Sequence, residues 1–323
     1  MASHTPVMAA EVVAALADFA SGVVVDATLG AGGHSELILN AYPELRLIGV
    51  DRDGQALKLA EAVLAPYRDR VELVQARFSD LGTVLAGREE APVAILADLG
   101  VSSMQLDTAS RGFAIRFEGP LDMRMDPDRG GESASELIGR ADERYLARLF
   151  VKNGVGSQAR RYAATVVANR PFATTAELAA TIWEATPARL RGGRIHPATK
   201  VFQALRIAVN HEEEELRSLM VTGFRALDTP GLMTVISYHS GEDREVKRFM
   251  VAMETGGCTC PPRFPCACGA IALAHRPRRS AIKPSRAEEE LNPRSRSARM
   301  RTLVKERNGE DAIDRFERRG EHG

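Results

Sequence analysis

Between residues 20 and 98 four short apolar runs recur, and three of them lead into an aspartate. Val23-Val24-Val25 ends at Asp26, Leu45 to Val50 at Asp51, and Val93 to Leu96 runs on to Asp98; Val71 to Val74 is the fourth. Helical spacing fills the gaps. In Gly54 to Ala65, Leu57, Ala60 and Leu64 fall on one face and Pro66 closes the segment. Strands alternating with helices at this spacing predict an α/β domain, a parallel sheet covered on both faces. Ligands of such sheets sit beyond the carboxyl ends of the strands, where the three aspartates fall.

The alternation stops after Asp98. Residues 99–131 are rich in Gly, Asp, Arg and Met without a period and read as a long functional loop. Helical patterns then cover Ala141 to Val151, Ser157 to Asn169, Thr175 to Ala185 and Pro197 to Leu219. Strand character returns at Met233 to Tyr238, and Arg286 to Arg301 reads as a charge-rich, extended tail. The simplest organisation is a core in two parts, 1–132 and 221–323, interrupted by a helical insertion, 133–220. Lys plus Arg equals Asp plus Glu, 43 each, which taken alone argues against a polyanionic partner. The charge is unevenly placed, however. Residues 140–206 carry 12 Lys/Arg against 4 Asp/Glu, and residues 271–323 carry 14 against 9. A basic insertion fits phosphate contacts or, equally, solvated helix faces. With 44% hydrophobic and 27% charged residues, wholesale disorder is excluded. No run of roughly 18 apolar residues offers a membrane span. The first ten residues lack a basic start followed by an apolar run, so no secretory leader is expected and the expected location is cytoplasmic.

Gly30, Gly32 and Gly33 follow Asp26 in a strand–turn–helix segment. Glycines allow positive φ and let a ligand lie against main-chain N–H groups. A dinucleotide fingerprint would need a third spaced glycine where Ser35 stands. An acid at Asp26 suits a ligand bearing an ammonium better than a pyrophosphate, and S-adenosylmethionine is such a ligand. A purely structural turn and a nicotinamide-dependent enzyme are the competing readings. Asp51, about twenty residues past the glycines, is placed to accept ribose hydroxyls or to cap a helix with Asp53. Phe78 can lie beside an adenine or in the core, and Asp98 can carry a reactive role or close a turn.

Cys258-Thr259-Cys260 and Cys266-Ala267-Cys268 form two C-x-C pairs. Four thiolates can hold a tetrahedral zinc, although each pair is tighter than usual zinc spacing; free thiols in a loop fit as well. Nothing in the pattern makes these cysteines catalytic, and no metal is assigned to the reactive site.

The motifs resemble one family. Asp98 to Asp107, Arg111-Gly112-Phe113 and Gly119 to Asp126 look like motifs of the ribosomal RNA small-subunit methyltransferase H family. His4 to Met8 resembles its N-terminal motif, and Arg194 to Lys200 with Phe202 to Asn210 its insertion. Ile236 to Ser240, Glu242 to Arg244, Val246 to Phe249 and Asn292 to Ala298 resemble its C-terminal half. The resemblance covers nearly the whole chain, in order. It implies a Rossmann-like, S-adenosylmethionine-dependent methyltransferase core with an inserted helical domain that recognises substrate. It further implies methylation of the exocyclic N4 of a cytidine in the decoding centre of 16S rRNA. The partner would be 16S rRNA or the 30S subunit, with neither DNA nor membrane involved. By motif position, Gly32, Gly33, His34, Asp51, Phe78, Asp98 and Gln105 would contact the cofactor. Two departures concern substrate recognition. Val155-Gly156 stands where the family has an acidic pair, and Gly241 interrupts its usual His-Ser-Leu-Glu-Asp-Arg. A divergent paralogue acting on another RNA position, or a non-catalytic RNA-binding factor, is the alternative.

An exocyclic cytidine amine is a weak nucleophile because its lone pair is delocalised into the ring. Methyl transfer then needs in-line placement and acceptors for the amine hydrogens. Asp98 is the first candidate acceptor, with Ser102 and Ser103 close behind in sequence and Asp122 and His239 weaker. Arg160, Arg161, Arg191 and Arg194 are candidates for phosphate contacts.

Overall fold

The computed structural model describes residues 6–193, 195–261 and 267–320. His4, Thr5, Arg194 and Cys266, all named above, lie outside the described residues. Two compact units emerge: one runs to Gly100 and resumes at Glu214, and the other spans Val101–Glu213.

The first unit is built on β1 (Gly22–Asp26), β2 (Leu45–Asp51), β3 (Val71–Gln75), β4 (Pro92–Asp98), β5 (Gly231–Ser237), β6 (Ala274–His275) and β7 (Arg299–Lys305). They form one sheet in the order β3-β2-β1-β4-β5-β7-β6. The first five are parallel, and β7 runs antiparallel between β5 and β6. Alternate strand residues serve opposite faces. Val23, Val25, Ile48, Ile95 and Met233 enter one core with Leu219, Phe224 and Phe249 from helices on that side. Val24, Leu47, Ala94 and Leu232 enter the other with Ile38, Leu39 and Leu64. Burial on both faces explains why these strands read as continuous apolar runs.

The expected extended tail is instead part of the sheet. Arg286–Leu291 is a helix, Pro293–Ser297 a 3₁₀ turn, and β7 the central partner of β5. Basic side chains had masked the pattern of a buried strand. Met300, Thr302, Leu303 and Lys305 are buried, and the Lys305 ammonium donates to the carbonyls of Arg225 and Leu227. Among the described residues no helix is long and apolar enough to cross a membrane.

The second unit is helical: Ala134–Arg140, Glu143–Lys152, Ala159–Asn169, Thr175–Ala185 and Thr199–Val209 share one core. Phe113, Leu121, Met123 and Met125, from the segment read as a loop of the first part, are buried in that core as well. The helix expected over 197–219 is two helices, Thr199–Val209 and Glu212–Ala226. They part at Asn210 and His211, the latter at φ 51°. The Asn210 amide accepts from Met125 N–H and donates to the Met123 carbonyl, which ties the preceding segment down. Leu216, Leu219 and Met220 of the second helix belong to the sheet's core. Apolar packing therefore groups 101–132 with the helices and 214–220 with the sheet, in contrast to the expected limits of 133 and 220.

Candidate functional site

Parallel strands end together, so β1, β2 and β4, neighbours in the sheet, bring Asp26, Asp51 and Asp98 to one rim. The turn after β1 wraps this rim. Gly30 and Gly32 take φ of 55° and 86°, and Gly32 caps the helix Gly33–Ala41. A Cβ on Gly33 would stand 2.8 Å from Pro6 Cγ, so the turn has no room for a side chain there. Asp51 Oδ2 accepts from Gly30 N–H (2.8 Å) and its Oδ1 from Asp53 N–H (2.8 Å), which locks the turn to β2. Asp53, in turn, caps Gly54–Leu64 through Gln55 N–H. Asp51 thus tethers the turn rather than capping that helix itself.

Asp26 accepts on both oxygens: Oδ2 from Ser35 Oγ (2.7 Å) and Oδ1 from Thr28 N–H (3.1 Å). Thr28 Oγ in turn accepts from Asp98 N–H (2.6 Å), which joins β1 to the end of β4. Asp98 Oδ1 accepts from the Tyr238 hydroxyl (2.7 Å), and Oδ2 lies 3.8 Å from His34 Nδ1. His34 Nε2 is 2.8 Å from the Val7 carbonyl, a pure acceptor, so Nε2 carries a proton. In the neutral ring Nδ1 then faces Asp98 as an acceptor; in the charged ring it faces Asp98 as a cation.

Burial disfavours the charged form of all three acids. It pushes Asp98 up to about 6, against smaller opposing effects of His34 and the Tyr238 hydrogen bond. It pushes Asp51 up to about 6, against the N–H groups of Asp53 and Gly30. Asp26 is raised too, burial outweighing its bond from Ser35 and the nearby His34. Tyr238 is also raised, by burial first and then by Asp98, so its hydroxyl stays protonated and donates. Among the described residues none of the three carboxylates is paired with a Lys or Arg. A rim of desolvated anions without a cation is costly, and a positively charged ligand relieves that cost. A pyrophosphate would add to it.

The other anticipated residues fall in several places. Phe78 opens a 3₁₀ turn after β3 and packs partly buried against the sheet's core. Gln105 belongs to the second unit, where it is buried and forms a reciprocal helix cap with Ser102. That bond gives Ser102 a capping role. Asp122, also in the second unit, is held by the Arg124 guanidinium at 2.7 Å, which keeps its carboxyl below the usual range despite partial burial. His239 caps Ser240–Thr255, its Nδ1 accepting from Gly241 and Glu242 N–H. Arg191 donates to the carbonyls of Thr186 and Glu184 and lies over Trp183, whereas Arg160 and Arg161 are exposed. Sequence reasoning missed Tyr238 and Thr28. The signal for Tyr238 was its position one residue past β5, on the same rim as Asp98.

The family model of the MraW methylase family matches residues 1–306. A "Ribosomal RNA small subunit methyltransferase H" of Geotalea uraniireducens is 46% identical over 308 residues, covering 94% of this chain and 98% of the relative. Proteins of the same name from Synechococcus sp. (strain WH7803) and Rubrobacter xylanophilus are 43% and 44% identical, each again over 94% of this chain. They are matched over 94% and 96% of their own lengths. The matched span takes in the glycine turn, the three rim acids, the helical unit and β7, and the chain belongs to the MraW methylase family, a family of S-adenosylmethionine-dependent methyltransferases.

Proposed function

We propose that this protein methylates the exocyclic N4 of a cytidine in the decoding centre of 16S ribosomal RNA. The observation that carries this reading is the rim itself: among the described residues Asp26, Asp51 and Asp98 have no Lys or Arg beside them, and Asp98 Oδ2 has only His34 Nδ1, at 3.8 Å, near it. The name of the relatives, ribosomal RNA small subunit methyltransferase H, supports ribosomal RNA of the small subunit as substrate.

S-adenosylmethionine supplies a sulfonium methyl and brings the positive charge that the rim lacks. Gly32 and Gly33 let the main chain lie close to it, and Asp51, with one N–H on each oxygen, has lone pairs left for ribose hydroxyls. Phe78 and His34, of the same unit, complete the proposed cofactor contacts. Asp98 has the catalytic role. Tyr238 fixes its Oδ1, and Oδ2 accepts a hydrogen of the target amine, which frees the lone pair from the ring. A carboxyl with a pKa of about 6 is still ionised at pH 7 and yet holds a proton better than an ordinary aspartate, as a proton acceptor should. The helical unit is assigned to RNA recognition, with Arg160 and Arg161 on phosphates. Arg191, spent on carbonyls and Trp183, is not. The work is placed in the cytoplasm, on 16S rRNA or the 30S particle, with neither DNA nor membrane as partner.

The test is incubation with labelled S-adenosylmethionine and 30S subunits lacking this methylation, followed by mapping of the labelled nucleoside. Label on cytidine N4 in the decoding centre is expected. Label at another position refutes the substrate assignment, and absence of label despite cofactor binding refutes the enzyme.

A further inference from the structure

We infer that Cys258, Cys260 and Cys268 bind one zinc ion as thiolates, and that this ion ties the end of the helix Ser240–Thr255 to the helix Asp311–Gly320. The three Sγ atoms lie within 4.8 Å of one another. Cys258 and Cys268 Sγ are 3.6 Å apart. Tetrahedral coordination with zinc–sulfur bonds of ~2.3 Å sets sulfur–sulfur separations of about 3.8 Å. A disulfide would require about 2.05 Å, so at 3.6 Å Cys258 and Cys268 are not bridged to each other. Three soft sulfur donors select zinc over calcium or magnesium.

The surroundings fit thiolates. Cys260 N–H donates to Cys258 Sγ (3.4 Å), and Arg315 Nη1 donates to Cys268 Sγ (3.5 Å) while its Nη2 donates to the Cys268 carbonyl (3.0 Å). Three thiolates around a divalent ion leave one net negative charge, and the Arg315 guanidinium offsets it. Such outer hydrogen bonds orient ligands and tune a metal site. The chain is shaped to bring the sulfurs there. Gly256 and Gly257, at φ 64° and 67°, turn it sharply after the helix. A Cβ on Gly257 would stand 2.9 Å from Arg315 Cβ. Arg319 donates to the Gly257 carbonyl (2.6 Å), a second link between the same two elements.

The site is structural. Tyr238 and Cys258 flank opposite ends of a 16-residue helix, which at 1.5 Å per residue is about 24 Å long. Zinc loss should therefore loosen the C-terminal helix without touching the rim that holds Asp98.

The test uses the full chain, purified reduced and without chelator. Elemental analysis should give about one zinc per chain, released by a mercurial thiol reagent. Cobalt(II) in its place should show thiolate-to-metal charge-transfer absorption. The Cys258→Ser/Cys268→Ser variant should lose that absorption and melt several degrees lower, with unchanged affinity for S-adenosylmethionine. Less than about 0.1 zinc per chain after reconstitution overturns the site. So does a Cys258–Cys268 disulfide in the anaerobically prepared chain, or a cobalt spectrum that survives the double substitution. If the variant fails to fold, the zinc content and cobalt spectrum of the unaltered chain decide alone.

Discussion

Asp98→Asn keeps the shape of the carboxyl group and removes its charge. The oxygen that accepts from Tyr238 is retained, and the backbone N–H still reaches Thr28 Oγ. In the folded protein Asp98 has a pKa of about 6, against 3.8 for an ordinary aspartate. That gap corresponds to about 3 kcal/mol of differential stability between its two protonation states. Its side chain is 23% exposed, so water returns part of the cost, and we take about 1–3 kcal/mol. The sign follows from the raised value. Above pH 6 the charge penalises the folded state in full; the penalty fades between pH 6 and 4 and is gone where both states are protonated. The asparagine variant should therefore be the more stable protein at pH 8, with the gain vanishing near pH 4. Urea unfolding followed by circular dichroism at both pH values measures this. Methyl transfer by the variant should fall by at least a hundredfold, about 2.7 kcal/mol of transition-state stabilisation. Equal stability of the two proteins at pH 8, or a difference that does not change with pH, would refute the electrostatic reasoning. Full activity would remove Asp98 from the chemistry.

Affinity for S-adenosylmethionine should weaken about tenfold from pH 8 to pH 5 if one rim acid must be ionised, and up to about a hundredfold if Asp51 and Asp98 both must, as titration calorimetry would read. Tyr238→Phe removes the hydrogen bond that lowers the Asp98 pKa, so the acid limb of the kcat–pH profile should move to higher pH while cofactor affinity at pH 8 changes little. Gly33→Ala drives a Cβ toward Pro6 and should lower the melting temperature and the cofactor affinity together; unchanged values would mean that Pro6 gives way. Arg160→Glu with Arg161→Glu should weaken RNA binding and flatten its salt dependence by roughly two counterions, while cofactor binding is retained. An unchanged salt slope would move the phosphate contacts elsewhere.

The rim was legible because its physics is local. A β-branched run that stops at an acid declares both the strand and its end, and Asp26, Asp51 and Asp98 could be named from that alone. Glycines with nowhere to put a Cβ are similarly self-announcing. What escaped depends on contacts distant in sequence. Tyr238 meets Asp98 across 140 residues. Lys305 looks like a surface residue until two carbonyls from the chain near Leu227 are seen to accept from it. The segment 101–132 has no period because its apolar residues are spaced to fit a core supplied by helices that follow later. The break at Asn210 shows the same limit, since the residues that use its amide are Met123 and Met125. His34 and Gln105 came from family resemblance alone. His34 proved to touch Asp98 and the Val7 carbonyl, whereas Gln105 caps a helix of its own unit.

The placement of β5 between β4 and β7 has a consequence for biosynthesis. When β4 emerges from the translating ribosome, its outer edge has no partner, because β5 begins only at Gly231. At ordinary synthesis rates that edge waits roughly 7–27 s, and β5 then waits again for β7. Meanwhile an unpaired, apolar strand edge is a template for mispairing with other chains. Early closure of the helical unit, which has its own core, shortens the tether between the two waiting strands. Nascent chains halted between Asp98 and Gly231 should thus be the forms of this protein that chaperones hold.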